Sequence, residues 1–366
     1  GGGSTPITGI TFLFNTLQNT TPGNNRTADE SDNWPITWAA DGEQYTSFGD
    51  GLGFKDGTVR ASIGWCQITD DEDNYSAFDL FQSGKSNTGF NGKCQGMLAA
   101  NGKLYTWWDA KDTTGNTGGS REFAYDSSTL CVGNRGTTAP YCDTGWTDII
   151  RWDSSQWGAG DLDGWFGPSF VQFGQDHAKP STADSAAATD GYAYTILCEH
   201  DDDNYECQIP GGITLMRCLV TNLESGNRND WEYLVSIDQN NVPSWSTNLA
   251  QRAFIFQDAQ DGNHISTMSY NEPLGRYLLT TFHKSRDTTL NGGQCTLGIY
   301  ESPEPWGPFT TVRKQDVVAA GLADGNACIM WNFSNKWLSA DGLSGVMVGT
   351  LLGQDEWGTV QVTFQT

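Results

Sequence analysis

Positive charge is scarce in this 366-residue chain: 20 Lys and Arg stand against 44 Asp and Glu, a formal net charge of −24. A nucleic acid duplex and an anionic membrane surface are both held mainly by Lys and Arg, so both are excluded as partners. Hydrophobic runs are short, and none reaches the roughly 18 consecutive apolar residues that span a bilayer. Histidine is scarce too, with four in the whole chain, and the nine cysteines include no Cys-x-x-Cys. The usual zinc-ligand spacing is therefore missing. Also missing are Gly-x-Ser-x-Gly, the P-loop, His-Glu-x-x-His and a Gly-x-Gly-x-x-Gly following a strand. Serine hydrolase, NTPase, zincin and nicotinamide-enzyme chemistries lose their usual support.

With metal spacing absent, the cysteines read as disulfides, with Cys131–Cys142 and Cys198–Cys207 as short-range staples. Such pairs form in an oxidising compartment, which implies a secreted, extracellular protein. The chain opens Gly-Gly-Gly-Ser and carries no charged n-region or apolar h-region. Two acidic stretches, residues 71–75 and 201–205, share Asp-x-Asp-Asn-Tyr. Oxygen-rich loops of this kind can hold Ca²⁺, but the EF-hand spacing is missing and a solvated acidic turn is the simpler reading. No cofactor or metal is assigned.

What the chain has in quantity is glycine and aromatic residues: 44 Gly, 15 Trp, 12 Tyr and 17 Phe. Helical periodicity is nearly absent. Short aromatic and β-branched runs broken by Gly, Asp and Asn read as an all-β protein. One tight-turn signal followed by an alternating strand returns five times, at Asp41-Gly42, Asn101-Gly102, Asp190-Gly191, Leu274-Gly275 and Asp341-Gly342. Spacings of 60, 89, 84 and 67 residues between these glycines are too irregular for a solenoid. They suit units of about four strands, each burying its face against the next. The predicted architecture is a single-domain, five-bladed β-propeller over residues 30–366, with residues 1–29 as an N-terminal segment and blade-closing strand. A two-sheet sandwich is the structural alternative.

In an antiparallel hairpin, residues equidistant from the turn oppose one another and share a face. From the turn at 41 and 42, Asp32 and Asp50 fall almost directly opposite each other. Two like charges at cross-strand distance are unfavourable unless a cation, a ligand or a shared proton offsets them, which makes this pair a candidate acid and nucleophile. The same reckoning sets Lys93 opposite Asp109 and His264 near His283. Strands of equal reach from one side of a propeller end on the other, so these residues and Glu199 are expected on one polar rim. Asp176, His177 and Arg252 are added as substrate-binding candidates. Trp34, Trp108 and Trp331, with Trp107 near them, are candidates to stack on sugar rings, since the apolar face of a sugar packs on an indole.

Five segments carry a family likeness: Ser-Asp-Asn-Trp-Pro-Ile-Thr-Trp-Ala-Ala-Asp-Gly (31 to 42), Phe-Gly-Asp-Gly-Leu-Gly-Phe (48 to 54), Trp-Phe-Gly-Pro-Ser-Phe-Val-Gln-Phe-Gly-Gln-Asp-His (165 to 177), Ser-Tyr-Asn-Glu-Pro-Leu-Gly-Arg-Tyr (269 to 277) and Gly-Ile-Tyr-Glu-Ser-Pro-Glu-Pro-Trp-Gly-Pro-Phe (298 to 309). From about residue 30 to the end, the chain resembles a group of secreted microbial propellers that includes the family 183 glycoside hydrolases, endo-D-arabinanases. The resemblance implies a five-bladed propeller cleaving furanosyl or related glycosidic bonds with two first-blade Asp residues, which map onto Asp32 and Asp50. It further implies Asp50 as nucleophile and Asp32 as general acid/base of a retaining mechanism. The stretches 111 to 145 and 181 to 190 have no counterpart in that group. A polysaccharide or oligosaccharide is the expected partner of a monomeric enzyme. The alternatives are a propeller polysaccharide lyase using His177, His264 or His283 with a Tyr, and a non-catalytic carbohydrate-binding propeller.

Overall fold

The computed structural model describes residues 4–28, 30–54, 60–83, 92–111, 125–133, 142, 145–153, 166–199, 211–258, 262–284, 295–316, 321, 330–351 and 355–366. Apart from four single-turn 3₁₀ segments, every regular element among them is a strand. One four-stranded antiparallel sheet holds β2 (Ile36–Trp38), β3 (Gln44–Gly51), β4 (Ala61–Thr69) and β5 (Ser76–Ser83). A second holds β6 (Gly92–Ala100), β7 (Lys103–Lys111), β8 (Tyr125–Gly133) and β9 (Trp146–Asp153).

Two further meanders follow. The first runs through β10 (Phe166–Gln172), β11 (Tyr192–Glu199), β12 (Gly211–Leu219) and β13 (Trp231–Ile237), extended by β14 (Pro243–Ser246) and by β15 (Phe254–Asp258) against β12. The second runs through β16 (Gly262–Asn271), β17 (Arg276–Lys284), β18 (Cys295–Ser302) and β19 (Thr310–Asp316). They join as one ten-stranded sheet because β10 and β16 pair in parallel at Val171–Met268 and Gln172–Ser269. The last sheet contains β20 (Asn332–Phe333), β21 (Ser344–Thr350), β22 (Trp357–Gln365) and, at its edge, the N-terminal strand β1 (Gly9–Gln18). Chain start and chain end are thus hydrogen-bonded side by side, from Gly9–Gln365 onwards.

The first strand of each meander is linked to the first strand of the next by direct hydrogen bonds. Thr37 Oγ1 in β2 accepts from Ala99 N in β6 (2.9 Å), and Gln172 Nε2 in β10 donates to Met97 O in β6 (2.7 Å). Ser269 Oγ in β16 donates to Phe333 O in β20 (3.0 Å), and Asn332 Nδ2 donates to Trp34 O just ahead of β2 (2.7 Å). With the β10–β16 pair, these contacts return to the strand they started from. Such inner strands are covered on both faces, so period-two alternation is lost: every residue of β6 is buried. Small residues make that approach possible; a Cβ on Gly96 would lie 3.0 Å from Pro168 O.

The aromatic residues are used between the sheets. One apolar cluster joins Trp34, Phe48 and Phe54 to Trp337 and Trp357, and another joins Trp107 and Trp152 to Phe170 and Trp231. Rings meet edge-on, as Trp34 and Trp357 do at 5.2 Å and 80°, the arrangement that ring quadrupoles favour. Outer strands keep the half-buried pattern: in β22, next to the edge strand β1, Val360, Val362 and Phe364 alternate inward beside Ile10 and Phe12 of β1.

The expected turns sit at one end of the strands. Asn101 and Gly102 both have positive φ (54° and 69°), as a type I′ hairpin requires, and Ala100 pairs with Lys103 across them. Asp190-Gly191 differs: β10 and β11 are joined by residues 173–191, a long connection rather than a hairpin. The Cys131–Cys142 disulfide is not formed. Cys131 is a buried thiol whose Sγ donates to Asp148 Oδ1 (3.1 Å). Cys94, Cys198 and Cys218 are likewise buried thiols; burial pushes Cys94 and Cys198 up to about 11 and Cys218 up to about 12. Cys207 lies outside the described residues. No described helix is long and apolar enough to cross a membrane.

Candidate active site

At the end of the strands opposite the turns, the first two sheets bring charges together. Lys93, the second residue of β6, pairs directly with Asp109 of β7. Its ammonium lies 3.9 Å from Asp32 Oδ1, with the two side chains only 7% and 12% exposed. Asp109 is wholly buried and its Oδ1 accepts from Ser128 Oγ on β8 (2.5 Å). One ammonium thus stands among two carboxylates. Burying three charges costs several kcal/mol each, and the opposed signs offset much of that.

Two backbone irregularities set this geometry. In β6 the ladder slips between Cys94 and Gly96, leaving Gln95 as the extra residue of a bulge. Ahead of β2, Asn33 takes a φ of 58°, and Asp32 pairs with Gly49 rather than Asp50. This corrects the expected Asp32–Asp50 opposition by one residue, because the chain between Asp32 and Ile36 holds one residue more than its partner between Thr46 and Gly49. Gly49 is needed at that position: a Cβ there would lie 2.5 Å from Asp32 Oδ1 and 2.7 Å from Lys93 Cδ. Asp50 is the next residue of β3 at the same end, and its side chain lies outside the described residues.

The other candidates divide. His283 pairs with Asn263 at the corresponding ends of β16 and β17, with His264 next in sequence; both histidine side chains lie outside the described residues. Glu199, the last residue of β11, is buried and ion-paired to Arg252 (Nε–Oε1 2.5 Å). Burial pushes the Glu199 carboxyl up, and the Arg252 charge pulls it back. Asp176 and His177 belong to the opposite end. They follow β10, and both Asp176 oxygens accept from Gly102 N in the β6–β7 turn (3.0 and 2.9 Å). A nine-residue strand separates them from Lys93, about 25 Å at 3.3 Å per residue.

Trp34, Trp107 and Trp331 are at most 1% exposed and fill the clusters between sheets; Trp108 is 8% exposed and packs in another. Burial against neighbouring sheets leaves Trp34 and Trp331 no free face for a sugar, which corrects the stacking role expected of them. Sequence reasoning missed Gly49 and Ser128. The signal for Gly49 was present in Phe-Gly-Asp-Gly, where a glycine beside a carboxylate marks a close approach. Ser128 had none, because only the β7–β8 register brings it to Asp109. The 71–75 stretch is an acidic turn in which Asp71 Oδ1 accepts from Asp73 N (3.2 Å) and Asn74 N (3.1 Å); residues 201–205 lie outside the described residues. Among the described residues, no group of three or more His, Cys, Asp or Glu is placed to hold a metal ion.

Fold and site together define an all-β protein of packed antiparallel meanders with a buried two-carboxylate, one-lysine cluster at one end. No protein-family model matches the chain, and no curated protein matches it. Several solved structures align with it. A protein of Bacteroides ovatus, described provisionally as a hydrolase, aligns over 92% of this chain and 86% of its own at 16% identity, with a TM-score of 0.52. More loosely, the α-L-arabinanase of Penicillium chrysogenum, solved with arabinobiose, aligns over 99% of this chain and 98% of its own at 9% identity and a TM-score of 0.43. The α-L-arabinofuranosidase PaAbf62A of Podospora anserina, solved with cellotriose, aligns over 95% of each chain at 10% identity and a TM-score of 0.45.

Proposed function

We propose that this chain is a secreted, monomeric five-bladed β-propeller glycoside hydrolase that cleaves furanosyl, arabinan-like linkages of a polysaccharide. The observation that carries the reading is the nearly buried Asp32 carboxylate, 3.9 Å from the Lys93 ammonium at the strand end where Asp50 also lies. A carboxylate held in place by one cation and one glycine cradle is preorganised for proton transfer, where misplacement by about 1 Å costs roughly 10²-fold. The circuit of inner-strand hydrogen bonds and the β1–β22 pairing support five blades closed by the N-terminal strand.

In the mechanism the resemblance implies, Asp32 in its protonated form gives that proton to the leaving glycosidic oxygen while the Asp50 carboxylate attacks the anomeric carbon. Asp32 then takes a proton from the water that releases the sugar from Asp50, so configuration is retained. Lys93 and Gly49 position Asp32, and Asp109 holds Lys93.

Asp32→Asn and Asp50→Asn should each lower sugar release by about 10³-fold or more with the melting temperature little changed. Wild-type turnover in either variant would remove that residue from the mechanism. NMR of the first-formed anomer should show retention; inversion would overturn the nucleophile assignment, and unsaturated, ultraviolet-absorbing products would identify a lyase instead.

A further inference from the structure

A well-formed cavity lies away from the Asp32–Lys93 end. It opens at the turn end, with a volume of about 470 Å³, inside the roughly 300–1,000 Å³ range of small-molecule sites. Trp38, the last residue of β2, and Tyr270, near the end of β16, give it aromatic walls; Asp184, Glu272, Asn335 and Ser339 add polar groups. We propose that this pocket is a second, non-catalytic binding site for neutral sugar units of a glycan chain, at the end of the strands opposite Asp32. The proposal extends the glycosidase reading, but its own geometry stands apart from the catalytic end.

The chemistry of the walls selects the ligand class. The Trp38 indole is half-buried and fixed by its Nε1–H, which donates to Gly42 O (3.1 Å). Tyr270 packs at 4.7 Å on Tyr277, so its ring is part of a rigid floor. The half-buried Trp38 indole can take the apolar face of a sugar ring, while Tyr270, almost wholly buried, backs the pocket. Around them stand acceptors: the Glu272 carboxylate is exposed and makes no ion pair or hydrogen bond with the described residues, while Asp184 Oδ2 accepts from Ser4 N (2.9 Å). Among the described residues no Lys or Arg lines the pocket, so its carboxylates would repel uronates, sulfates and phosphates. The negative field reaches the floor: Tyr270 is pushed up to about 12, first by burial and then by Glu272, Glu304 and Asp184.

Two segments set aside by the catalytic reading supply the walls. Ser-Tyr-Asn-Glu-Pro-Leu-Gly-Arg-Tyr contributes Tyr270, Glu272, Pro273 and Gly275; the stretch 181 to 190, which has no counterpart in the resembled group, contributes Thr182, Ala183 and Asp184. A site at this end would hold a polymer whose reacting bond lies at the other end.

The test uses the Asp32→Asn protein, so that any substrate stays intact, and neutral oligosaccharides of arabinan, xylan and cellulose as probes, with spermine as a competing cation. At least one oligosaccharide should shift the Trp38 indole resonance. Trp38→Ala and, separately, Glu272→Gln should weaken that binding about tenfold or more while the same changes in the active enzyme leave turnover of short soluble substrates within about twofold. Glu272→Gln guards against a folding defect, since the side chain is exposed and makes no hydrogen bond or ion pair with the described residues. Binding that survives both substitutions, no binding by any sugar, or a Trp38 response to spermine alone would each overturn the proposal. If the wild type releases no sugar yet Trp38 still responds to a glycan, the catalytic reading fails and this site stands.

Discussion

Acidification to about pH 5 should cost the protein about 2 kcal/mol at a single side chain, His177. Its imidazole is buried, edge-on to the Phe173 ring at 5.0 Å, with Nε2 3.3 Å from Tyr192 O. Burial first and then the charge of Lys179, opposed by the Tyr192 carbonyl, lower its pKa from 6.5 to about 3. The native state therefore keeps the ring neutral while the unfolded chain takes up a proton. The stabilisation is complete above the unfolded pKa of 6.5 and is lost progressively as the pH falls from there towards 3. At pH 5 the unfolded ring is protonated over neutral by a factor of about 30, and RT ln 30 is about 2 kcal/mol. Any native value well below 5 gives the same result. Urea unfolding followed by Trp fluorescence, on wild type and His177→Asn at pH 7.5 and 5, measures the effect. Asn tolerates the left-handed φ of 59° at this position. The stability gap between the two proteins should narrow by about 2 kcal/mol at the lower pH, since carboxylates elsewhere shift both alike. Parallel pH profiles would refute the buried neutral imidazole.

Two further substitutions probe the catalytic end. Gly49→Ala pushes a methyl group against Asp32 Oδ1 and Lys93 Cδ; we expect about 1–3 kcal/mol of destabilisation by urea titration and roughly 10²-fold lower turnover. An alanine variant with full activity would show that the cradle does not hold Asp32. Arg252→Ala leaves the buried Glu199 carboxylate without its ion pair and should cost about 3–5 kcal/mol, read as a shift of the denaturant midpoint. A cost below about 1 kcal/mol would place Glu199 in water rather than in the interior.

Local chemistry was legible where it acts over a few residues. Asn101-Gly102 reads as a type I′ turn because both central residues need φ > 0, and the turn sets Lys93 against Asp109 even across the Gln95 bulge. The same reckoning slipped at Asp32, because the left-handed Asn33 adds a residue that no turn signal announces. Asp176 and His177 lie apart from the other candidates for a topological reason: β10 leads into a long connection, which carries them to the far end of the strands. The tryptophans were ambiguous because an indole suits a core and a sugar equally, and only the neighbouring sheet decides which it meets.

The sequence by itself determined an all-β, strongly acidic chain of returning hairpins, since turn propensity, alternation and net charge are properties of short segments and simple sums. Tertiary structure decided what those segments touch. It turned expected disulfides into thiols such as Cys131, buried Trp34 and Trp331 between sheets, and opened the Trp38 pocket at the end where no chemistry was expected. The physical reason is common to all three: each depends on the register and distance between strands far apart in the chain. A one-residue slip there moves a side chain from one face to the other.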